Sequence, residues 1–233
     1  ESRIPELLAE AGAAVRVVQP CELAPVKDAG IYVVDGETEG DVDAAAGAMA
    51  RAGWRVAAGP AALAGSLAAA LDLPRGAAAP WPRIARCVVV NGSMQEISAA
   101  QVRHALQAGW PAATSGAVPQ AWSIFTAESR ASGLERARVL GGMVREMVER
   151  ACPDALFLIG GDTAAAVVDA LGAPPLHPVG EIVPGVPVTR AGQLTLITKA
   201  GGFGAADLLV KVRESLCATN TLCIMKVWNC VRD

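Results

Sequence analysis

Short apolar runs alternate along this chain with longer segments whose apolar residues recur at helical spacing. The apolar runs predict buried strands at residues 15–18, 31–34, 54–57, 87–90, 121–125, 157–159 and 194–197. The amphipathic segments predict helices at residues 41–51, 61–71, 134–150 and 164–171, and two more that begin near residue 98 and after residue 204. Such alternation is typical of an α/β protein with mainly parallel sheets.

The alternation is interrupted between residues 73 and 82. Three prolines and one glycine lie in these ten residues, which predicts a linker between two domains. We therefore expect two Rossmann-like three-layer α/β blocks with mainly parallel sheets, the first at residues 1–78 and incomplete, the second at residues 84–216. Residues 217–233 form an unassigned tail. Within the first block, Gly53 is expected to end a helix and Pro60 to occupy the first position of the next.

Composition narrows the class of protein. Hydrophobic residues make up 52% of the 233 residues, which is ample for a buried core, and aromatic residues only 4%. The net charge of −3 argues against nucleic-acid binding, which favours a basic surface. No apolar run is long enough to span a membrane, and the first residues do not resemble a signal peptide, so we expect a cytoplasmic protein.

The six cysteines and two histidines predict neither disulfides nor a metal site. Cys217, Cys223 and Cys230 are six and seven residues apart, unlike the short cysteine pairs of zinc sites. Cys87 falls in an apolar strand, where a thiol behaves as a small hydrophobic group. We expect reduced structural thiols and no metal chemistry from the histidines.

Three glycine-bearing polar turns follow predicted strands. They are Asn91-Gly92-Ser93, Gly160-Gly161-Asp162-Thr163 and Thr198-Lys199-Ala200-Gly201-Gly202-Phe203-Gly204. In open α/β folds, ligands bind outside the carboxyl ends of the parallel strands, where these turns are expected to meet. None of them is a Walker A loop or a G-x-G-x-x-G fingerprint, so their spacing predicts only an anion or nucleotide site. The alternative is that the glycines serve only the packing of helices on the sheet.

The residue types in these turns suit a phosphate group. Glycines let backbone N–H groups approach an oxyanion closely, a helix N-terminus adds partial positive charge, and a lysine adds a full charge. The candidate groups are the N–H groups of Gly160, Gly161, Gly201, Gly202 and Gly204, the hydroxyls of Ser93 and Thr163, and the ammonium of Lys199.

Two further positions have a structural as well as a functional interpretation. Asp162 either caps a helix that begins at Ala164 or contacts a metal ion or a ribose hydroxyl. Ser98 and Gln101 have the spacing of a capping box, in which the Gln101 side chain returns to the Ser98 N–H. Ser93 precedes this helix by too many residues to cap it, which leaves its hydroxyl available to a ligand.

Three linked motifs resemble the nucleotide-binding domain of the four-carbon acid sugar kinases. They are Gly160-Gly161-Asp162-Thr163, Gly180-Glu181-Ile182-Val183-Pro184-Gly185-Val186-Pro187, and the turn from Thr198 to Gly204 with Asp207. Upstream, Val90-Asn91-Gly92-Ser93 with Ser98 and Gln101 is similar to another loop of this family. The closing segments of the family's amino-terminal, substrate-binding domain resemble Val34-Asp35-Gly36-Glu37-Thr38 and Ala57-Ala58-Gly59.

The resemblance implies a kinase that uses ATP and Mg²⁺ to phosphorylate a four-carbon sugar acid, either a tetronate or a 3-oxo-tetronate. The implied ATP-binding residues are Ser93, Gly160, Gly161, Asp162, Thr163, Lys199, Gly201, Gly202 and Gly204, and Asp162 is also the candidate Mg²⁺ ligand. Asp35 and Glu37 would bind the hydroxyls of the sugar acid. Glu181 either contacts the nucleotide or pins its own proline-rich turn. The expected partners are the sugar acid and ATP, and a homo-oligomer is compatible with the resemblance. No catalytic base is assigned.

The chain also departs from this family. It lacks the Asp-rich, glycine-containing motif expected in the first strand and loop, and it begins at Glu1 without a methionine. We therefore expect the carboxyl-terminal portion of a longer protein, inactive as a kinase on its own. The stretch between Trp110 and Leu134 is shorter than in the family. The alternatives are a non-catalytic nucleotide- or phosphate-binding interaction module and another enzyme that uses a sugar phosphate.

Overall fold

The structure, a computed structural model, describes residues 3–23, 28–74, 80–113, 121–125 and 133–217. The chain divides into two compact units, Glu1–Ala77 and Ala78–Asp233, and the division falls within the proline-rich stretch at residues 73–82. Each unit has its own hydrophobic core and is described by itself. The tail beyond residue 217 lies outside the described residues.

The part of the first unit that the structure describes contains a two-stranded parallel sheet and three α-helices. The sheet pairs β1 (Val15–Val18) with β2 (Ile31–Val34), as predicted, and the helices are α1 (Ile4–Glu10), α2 (Glu39–Ala52) and α3 (Ala61–Ala70). A capping box between Thr38 and Asp41 begins α2, and Gly53, with a φ of 67°, ends it. The core consists of Leu23, Ala46, Ala48, Met49 and Leu63.

The strand predicted at residues 54–57 is wrong. Residues 54–60 take no regular secondary structure, and the Trp54 N–H donates to Met49 O at 3.1 Å, closing the end of α2. The Trp54 ring lies 5.5 Å from the Tyr32 ring and packs against the core. The apolar run therefore reflects burial of the indole without strand pairing. Pro60 is the N-cap of α3 and not its first residue.

The second unit contains, within the described residues, a seven-stranded sheet flanked by helices. Its strands are β3 (Cys87–Asn91), β4 (Ala112–Ala113), β5 (Ser123–Phe125), β6 (Ala155–Ile159), β7 (Leu176–Val183), β8 (Val186–Ala191) and β9 (Leu194–Lys199). Its helices are α4 (Glu96–Gln107), α5 (Gly133–Ala151), α6 (Gly161–Ala170) and α7, at residues 208–217. The strand order is β4-β5-β3-β6-β9-β8-β7, with the first five strands parallel and the last two antiparallel to their neighbours. The predicted α/β class is confirmed.

The hydrophobic pattern does not predict β8, although buried Val186, Val188 and Ala191 alternate there with more exposed residues. The pattern misses this strand because it contains Pro187. Proline lacks an N–H group and is typical of edge strands, whereas β8 lies between β7 and β9. The prolines around Glu181 predict an irregular edge rather than a central strand, and the structure confirms this. This edge belongs to β7, the outermost strand, whose pairing with β8 shifts register twice.

Alternate residues of each strand point to opposite faces of this sheet, and helices cover both faces. One core joins α4 and α7 to the strand residues Cys87, Val89, Phe157, Ile159 and Ile197. The other core joins α5 and α6 to the strand residues Val88, Val90, Leu156, Leu158 and Leu196. The second unit is therefore a three-layer α/β/α domain.

Within the described residues, no helix is long and apolar enough to cross a membrane, and no group of three or more acidic, histidine or cysteine residues is placed to hold a metal ion. Cys87 is buried, and burial raises the pKa of its thiol. Cys21 and Cys152 are exposed and form no disulfide in the part of the chain that the structure describes. Cys223 and Cys230 lie outside that part.

Candidate functional site

The three glycine-bearing turns lie side by side at the carboxyl edge of the large sheet. Asn91 at the end of β3 pairs with Ile159 at the end of β6, and Ile159 pairs with Lys199 at the end of β9. We name the turns that follow the β3 corner (residues 91–95), the β6 corner (160–163) and the β9 corner (200–205). Strand register thus brings together three turns that are far apart in the sequence.

Two glycines allow these corners to touch one another. A Cβ atom at Gly92 would overlap the hydroxyl oxygen of Thr163, and a Cβ atom at Gly201 would overlap the hydroxyl oxygen of Ser93. A packing role is therefore correct for Gly92 and Gly201, although the packing joins one corner to another and not a helix to the sheet.

The corners surround a cleft of about 360 Å³. Of the residues predicted to bind a phosphate, those that line the cleft are Ser93, Gly160, Gly161, Asp162, Thr163, Gly201 and Gly202. Among the described residues, Gly161 and Gly202 have no packing role, because a Cβ atom at either position would meet no heavy atom within 4 Å. Both glycines keep open a space that the described residues do not fill.

The β6 corner presents the amino end of α6 to the cleft. Gly160, with a φ of 107°, turns the chain directly from β6 into a helix that begins at Gly161. The hydrogen bond from Ala164 N–H to Gly160 O, at 3.0 Å, is the first of the helix. The N–H groups of Gly161, Asp162 and Thr163 precede it and have no acceptor within the described residues. They are free to bind an anion.

Asp162 does not cap α6. The helix begins at Gly161 and not at Ala164, and its N-cap is Gly160, so Asp162 lies in the first helical turn. Its side chain makes no capping hydrogen bond, is exposed and lines the cleft. The predicted capping role is wrong, whereas contact with a metal ion or a ribose hydroxyl stays a prediction.

Ser98 does not form the predicted capping box either. α4 begins at Glu96 with Gln95 as its N-cap, so Ser98 lies inside the helix, where its side chain is buried. The Ser98 hydroxyl donates a short hydrogen bond to Gly201 O in the β9 corner. The serine therefore holds a neighbouring turn and not its own helix.

Gln101 holds the other half of the β9 corner. Its Nε2 donates to Phe203 O at 2.9 Å and to Ala205 O at 3.0 Å. Gly204 lies between these carbonyls with a φ of 86°, and a Cβ atom there would lie 2.6 Å from Leu208 Cδ2. Gly204 thus serves the shape of the turn, and the structure does not place it on the wall of the cleft.

Lys199 lies behind the β9 corner. The residue is 3% exposed, and its Nζ lies 3.2 Å from Gly201 O and 3.4 Å from Ser98 Oγ. Burial lowers the pKa of the ammonium to about 8. The structure gives this ammonium a backbone carbonyl as its neighbour, and Lys199 is not among the residues that line the cleft.

A cation that no motif reveals comes from α5. Arg136 is partly buried, lines the cleft, and its Nη1 lies 2.9 Å from Met94 Sδ in the β3 corner. No other hydrogen bond of this guanidinium is seen among the described residues, so its remaining N–H groups are available to a ligand. The signal available in the sequence is position alone, since a helix that follows a parallel strand begins at the carboxyl edge of the sheet.

The turn between β7 and β8 packs on the β9 corner. Gly185, with a φ of 78°, leaves space for the ring of Phe203, whose Cζ would lie 3.0 Å from a Cβ atom at that position. Glu181 Oε1 accepts a hydrogen bond from Gly185 N–H at 3.3 Å. Of the two interpretations of Glu181, the structure supports the one in which it pins its own turn.

Asp35 and Glu37 belong to the first unit, between β2 and α2. The Asp35 N–H donates to Val18 O at 2.9 Å, and the Glu37 N–H donates to Asp41 Oδ2 at 3.0 Å. Hydrogen bonds from the Thr38 hydroxyl and from the N–H groups of Glu37 and Thr38 hold the pKa of the Asp41 carboxyl below its usual value. Both predicted carboxylates are exposed and form no ion pair within the described residues.

A parallel α/β sheet with open glycine corners at its carboxyl edge defines a class of nucleotide-binding domain. Consistent with this class, residues 113–209 match the family described as the nucleotide-binding C-terminal domain. A D-threonate kinase of Bordetella bronchiseptica is 32% identical over an alignment that covers 93% of this chain and 60% of that protein. The chain therefore spans about 60% of the length of this relative.

A second kinase and a solved structure are also similar to this chain. A 3-oxo-tetronate kinase of Pseudomonas savastanoi is 45% identical over 60 residues, which cover 24% of this chain and 14% of that protein. A Haemophilus influenzae protein of the DUF1537 family superposes with a TM-score of 0.57 at 18% identity, over 79% of this chain and 53% of that chain, and so shares its fold. The predicted resemblance is confirmed: this chain is related to the four-carbon acid sugar kinases.

Proposed function

We propose that the cleft binds the phosphate groups of ATP and that the protein takes part in phosphorylating a four-carbon sugar acid. The observation that carries the proposal is the set of backbone N–H groups that surround the cleft and have no acceptor among the described residues. They belong to Gly161, Asp162 and Thr163 at the start of α6, and to Gly202 in the β9 corner. Convergent N–H groups of this kind, reinforced by a helix dipole, are suited to anionic oxygens.

Side chains of the cleft complete a donor set that fits phosphate. Ser93 Oγ accepts a hydrogen bond from Gln95 N–H at 3.2 Å, which leaves its own hydroxyl hydrogen to donate. Thr163 places a second hydroxyl beside it, and the Arg136 guanidinium adds a positive charge. ATP supplies the phosphoryl group when bound, and these residues hold and neutralise it.

Asp162 is the candidate ligand for Mg²⁺. Its carboxylate lines the cleft beside N–H groups that favour phosphate, where it would repel the nucleotide without a bridging cation. Mg²⁺ bound with a nucleotide commonly takes one or two carboxylates, and phosphate oxygens and water complete its ligands. One carboxylate is therefore a sufficient contribution from the protein.

The sugar acid is proposed from the printed names of the relatives, a D-threonate kinase and a 3-oxo-tetronate kinase. Such a substrate is itself an anion, so the exposed carboxylates of Asp35 and Glu37 fit its hydroxyl groups better than its carboxylate. Either residue would accept hydrogen bonds from those hydroxyls and so orient the acceptor.

The nucleotide site can be tested with two glycines that have no packing role. Gly161→Ala and Gly202→Ala should leave the free energy of unfolding unchanged or higher, because neither Cβ atom meets a neighbour. Each methyl group would occupy the space in front of an N–H group that contacts phosphate. We expect ADP affinity with Mg²⁺, measured by calorimetry, to fall about tenfold or more, the effect of losing one hydrogen bond to a charged group.

Gly142→Ala is the matched control, because this exposed glycine of α5 also has no neighbour within 4 Å of a Cβ atom but does not line the cleft. Its ADP affinity should equal that of the parent protein. Parent-like affinity in both cleft variants would refute the proposed site. Release of ADP with D-threonate or a 3-oxo-tetronate then tests whether this chain itself catalyses the transfer, and turnover would argue against the non-catalytic module.

A further inference from the structure

Two side chains converge on a single carbonyl of the β9 corner. Gly201 O accepts a hydrogen bond from the Ser98 hydroxyl and lies 3.2 Å from Lys199 Nζ. The two donors come from different elements, α4 and the end of β9, and both residues are at most 3% exposed. We name this arrangement, Ser98 and Lys199 on Gly201 O, the Gly201 clamp.

The direction of one carbonyl fixes the direction of the next N–H group. Gly201 C=O and Gly202 N–H belong to the same peptide unit, and in a planar trans peptide they point in opposite directions. The Gly201 clamp draws the carbonyl toward α4, so the Gly202 N–H points away from α4. Gly202 lines the cleft, and its N–H has no acceptor within the described residues.

The peptide unit between Gly201 and Gly202 needs contacts that fix its orientation, because both of the residues that it joins are glycines. Two adjacent glycines allow the peptide unit to rotate at little steric cost, which would turn the carbonyl oxygen toward the cleft. An oxygen facing the cleft would repel a phosphate that the N–H group attracts. Ser93 limits where Gly201 can sit, since its hydroxyl occupies the position of a Cβ atom there, but it does not bond the carbonyl.

We propose that Ser98 and Lys199 are positioning residues, which keep the Gly202 N–H directed at a nucleotide phosphate by holding the Gly201 carbonyl. The inference rests on the proposed nucleotide site and gives Lys199 a role through the backbone, without phosphate contact. Within the described residues Lys199 forms no ion pair, so its charge acts on the carbonyl unopposed. A cation at the carbonyl end polarises the peptide and strengthens its N–H as a donor.

The test compares ligands that contain phosphate with one that does not. Ser98→Ala and Lys199→Met should each weaken the binding of ADP and of inorganic tripolyphosphate by about tenfold, the effect of one hydrogen bond to a charged group. The affinity for adenosine should not change. Ser98→Thr keeps the hydroxyl and should restore the binding of ADP. Lys199→Met replaces a buried charge with an apolar chain, so it should remain folded.

The Gly202 amide reports on the mechanism directly. In the parent protein its proton resonance should shift downfield when ADP is added, and this shift should be smaller in both variants. Ser66→Ala, which removes a hydrogen bond to Asp43 in the first unit, is the control and should bind ADP like the parent protein.

Each outcome separates this inference from the proposed function. If the parent protein binds ADP at the Gly161- and Gly202-dependent site and both clamp variants bind it equally well, the positioning role is wrong and the site stands. If adenosine affinity falls as much as ADP affinity, the corner has collapsed and the positioning role is also refuted. If the parent protein binds neither ADP nor tripolyphosphate, both proposals fail.

Discussion

The β6 corner and the β9 corner have similar sequences, two adjacent glycines after a buried strand, but they are held in place differently. In the β6 corner the helix begins at once, and among the described residues no side chain forms a hydrogen bond that holds its first N–H groups toward the cleft. In the β9 corner the next helix begins only at residue 208. The intervening turn is held by Ser98, Gln101 and Lys199.

The difference shows that one composition can direct backbone N–H groups into a cleft in two ways. The donors of the β6 corner depend on where α6 lies, and therefore on how α6 packs against α5 and the sheet. The direction of the N–H groups in the β9 corner depends on three buried side chains that bond the carbonyl groups of the turn and do not line the cleft. Substitutions in α4 should therefore disturb the β9 corner, and substitutions between α5 and α6 should disturb the β6 corner.

The largest effect is expected from Gln101→Leu. This change leaves Phe203 O and Ala205 O without the donor they share, in a partly buried turn. We expect the free energy of unfolding, measured with urea, to fall by about 2–4 kcal/mol, the combined effect of two lost hydrogen bonds. Gln107→Leu, at the exposed end of the same helix, is the control and should change it by less than about 0.5 kcal/mol. Equal effects at the two positions would contradict a holding role for Gln101.

A smaller effect is expected where α5 meets α6. A Cβ atom at Gly141 would lie 2.6 Å from Ala166 O, a backbone atom that cannot move aside alone. Gly141→Ala should therefore push α6 away and lower the free energy of unfolding by about 1–3 kcal/mol, as overpacking does. It should also weaken ADP binding through the β6 corner, although Gly141 does not line the cleft.

A substitution at the neighbouring Gly142 distinguishes the effect of packing on stability from the effect of helix propensity. Gly142 has the same helical surroundings but open space around a Cβ atom. Gly142→Ala should raise the free energy of unfolding by up to about 1 kcal/mol, because alanine favours a helix over glycine. Destabilisation by both substitutions would mean that close contact with α6 is not the reason for Gly141.

The hydrophobic pattern alone predicted most of the large sheet, because its central strands are buried on both faces. The pattern failed at Trp54, whose ring packs against the core although its backbone joins no strand. It also failed at β8, because Pro187 suggests an edge strand whereas β8 lies between two other strands. Both errors concern partners distant in the sequence, and a local pattern contains no information on them.

The backbone of the candidate site was predicted together with the cleft-lining side chains of Ser93, Asp162 and Thr163, but the functions of its other side chains were not. The glycine corners follow from strand ends, and register then places them together. The functions of Ser98 and Gln101 could not be predicted, because their spacing fits a capping box as well as it fits two contacts to a distant turn. Arg136 belongs to no motif, and Lys199 at a strand end gives no sign of the direction of its side chain.

The last effect is a pH dependence and concerns the charge behind the β9 corner. Burial lowers the pKa of Lys199 to about 8 in the folded protein, from an ordinary value of 10.5. Below pH 8 the ammonium is charged in both states, and its burial opposes folding. Between pH 8 and 10.5 the unfolded chain binds more protons than the folded chain, so this contribution to stability rises with pH. Lys199→Met removes this pH-dependent contribution, because methionine has no titrating group.

We therefore expect Lys199→Met to be more stable than the parent protein at pH 7, by an amount that shrinks by roughly 2 kcal/mol at pH 9.5, since one pKa unit corresponds to about 1.4 kcal/mol. Urea unfolding of both proteins at several pH values measures this difference. Lys199→Leu should show the same trend, because it also removes the titrating group. A difference that stays constant from pH 7 to 9.5 would mean that the ammonium is not desolvated, and the β9 corner would then be held without a buried charge.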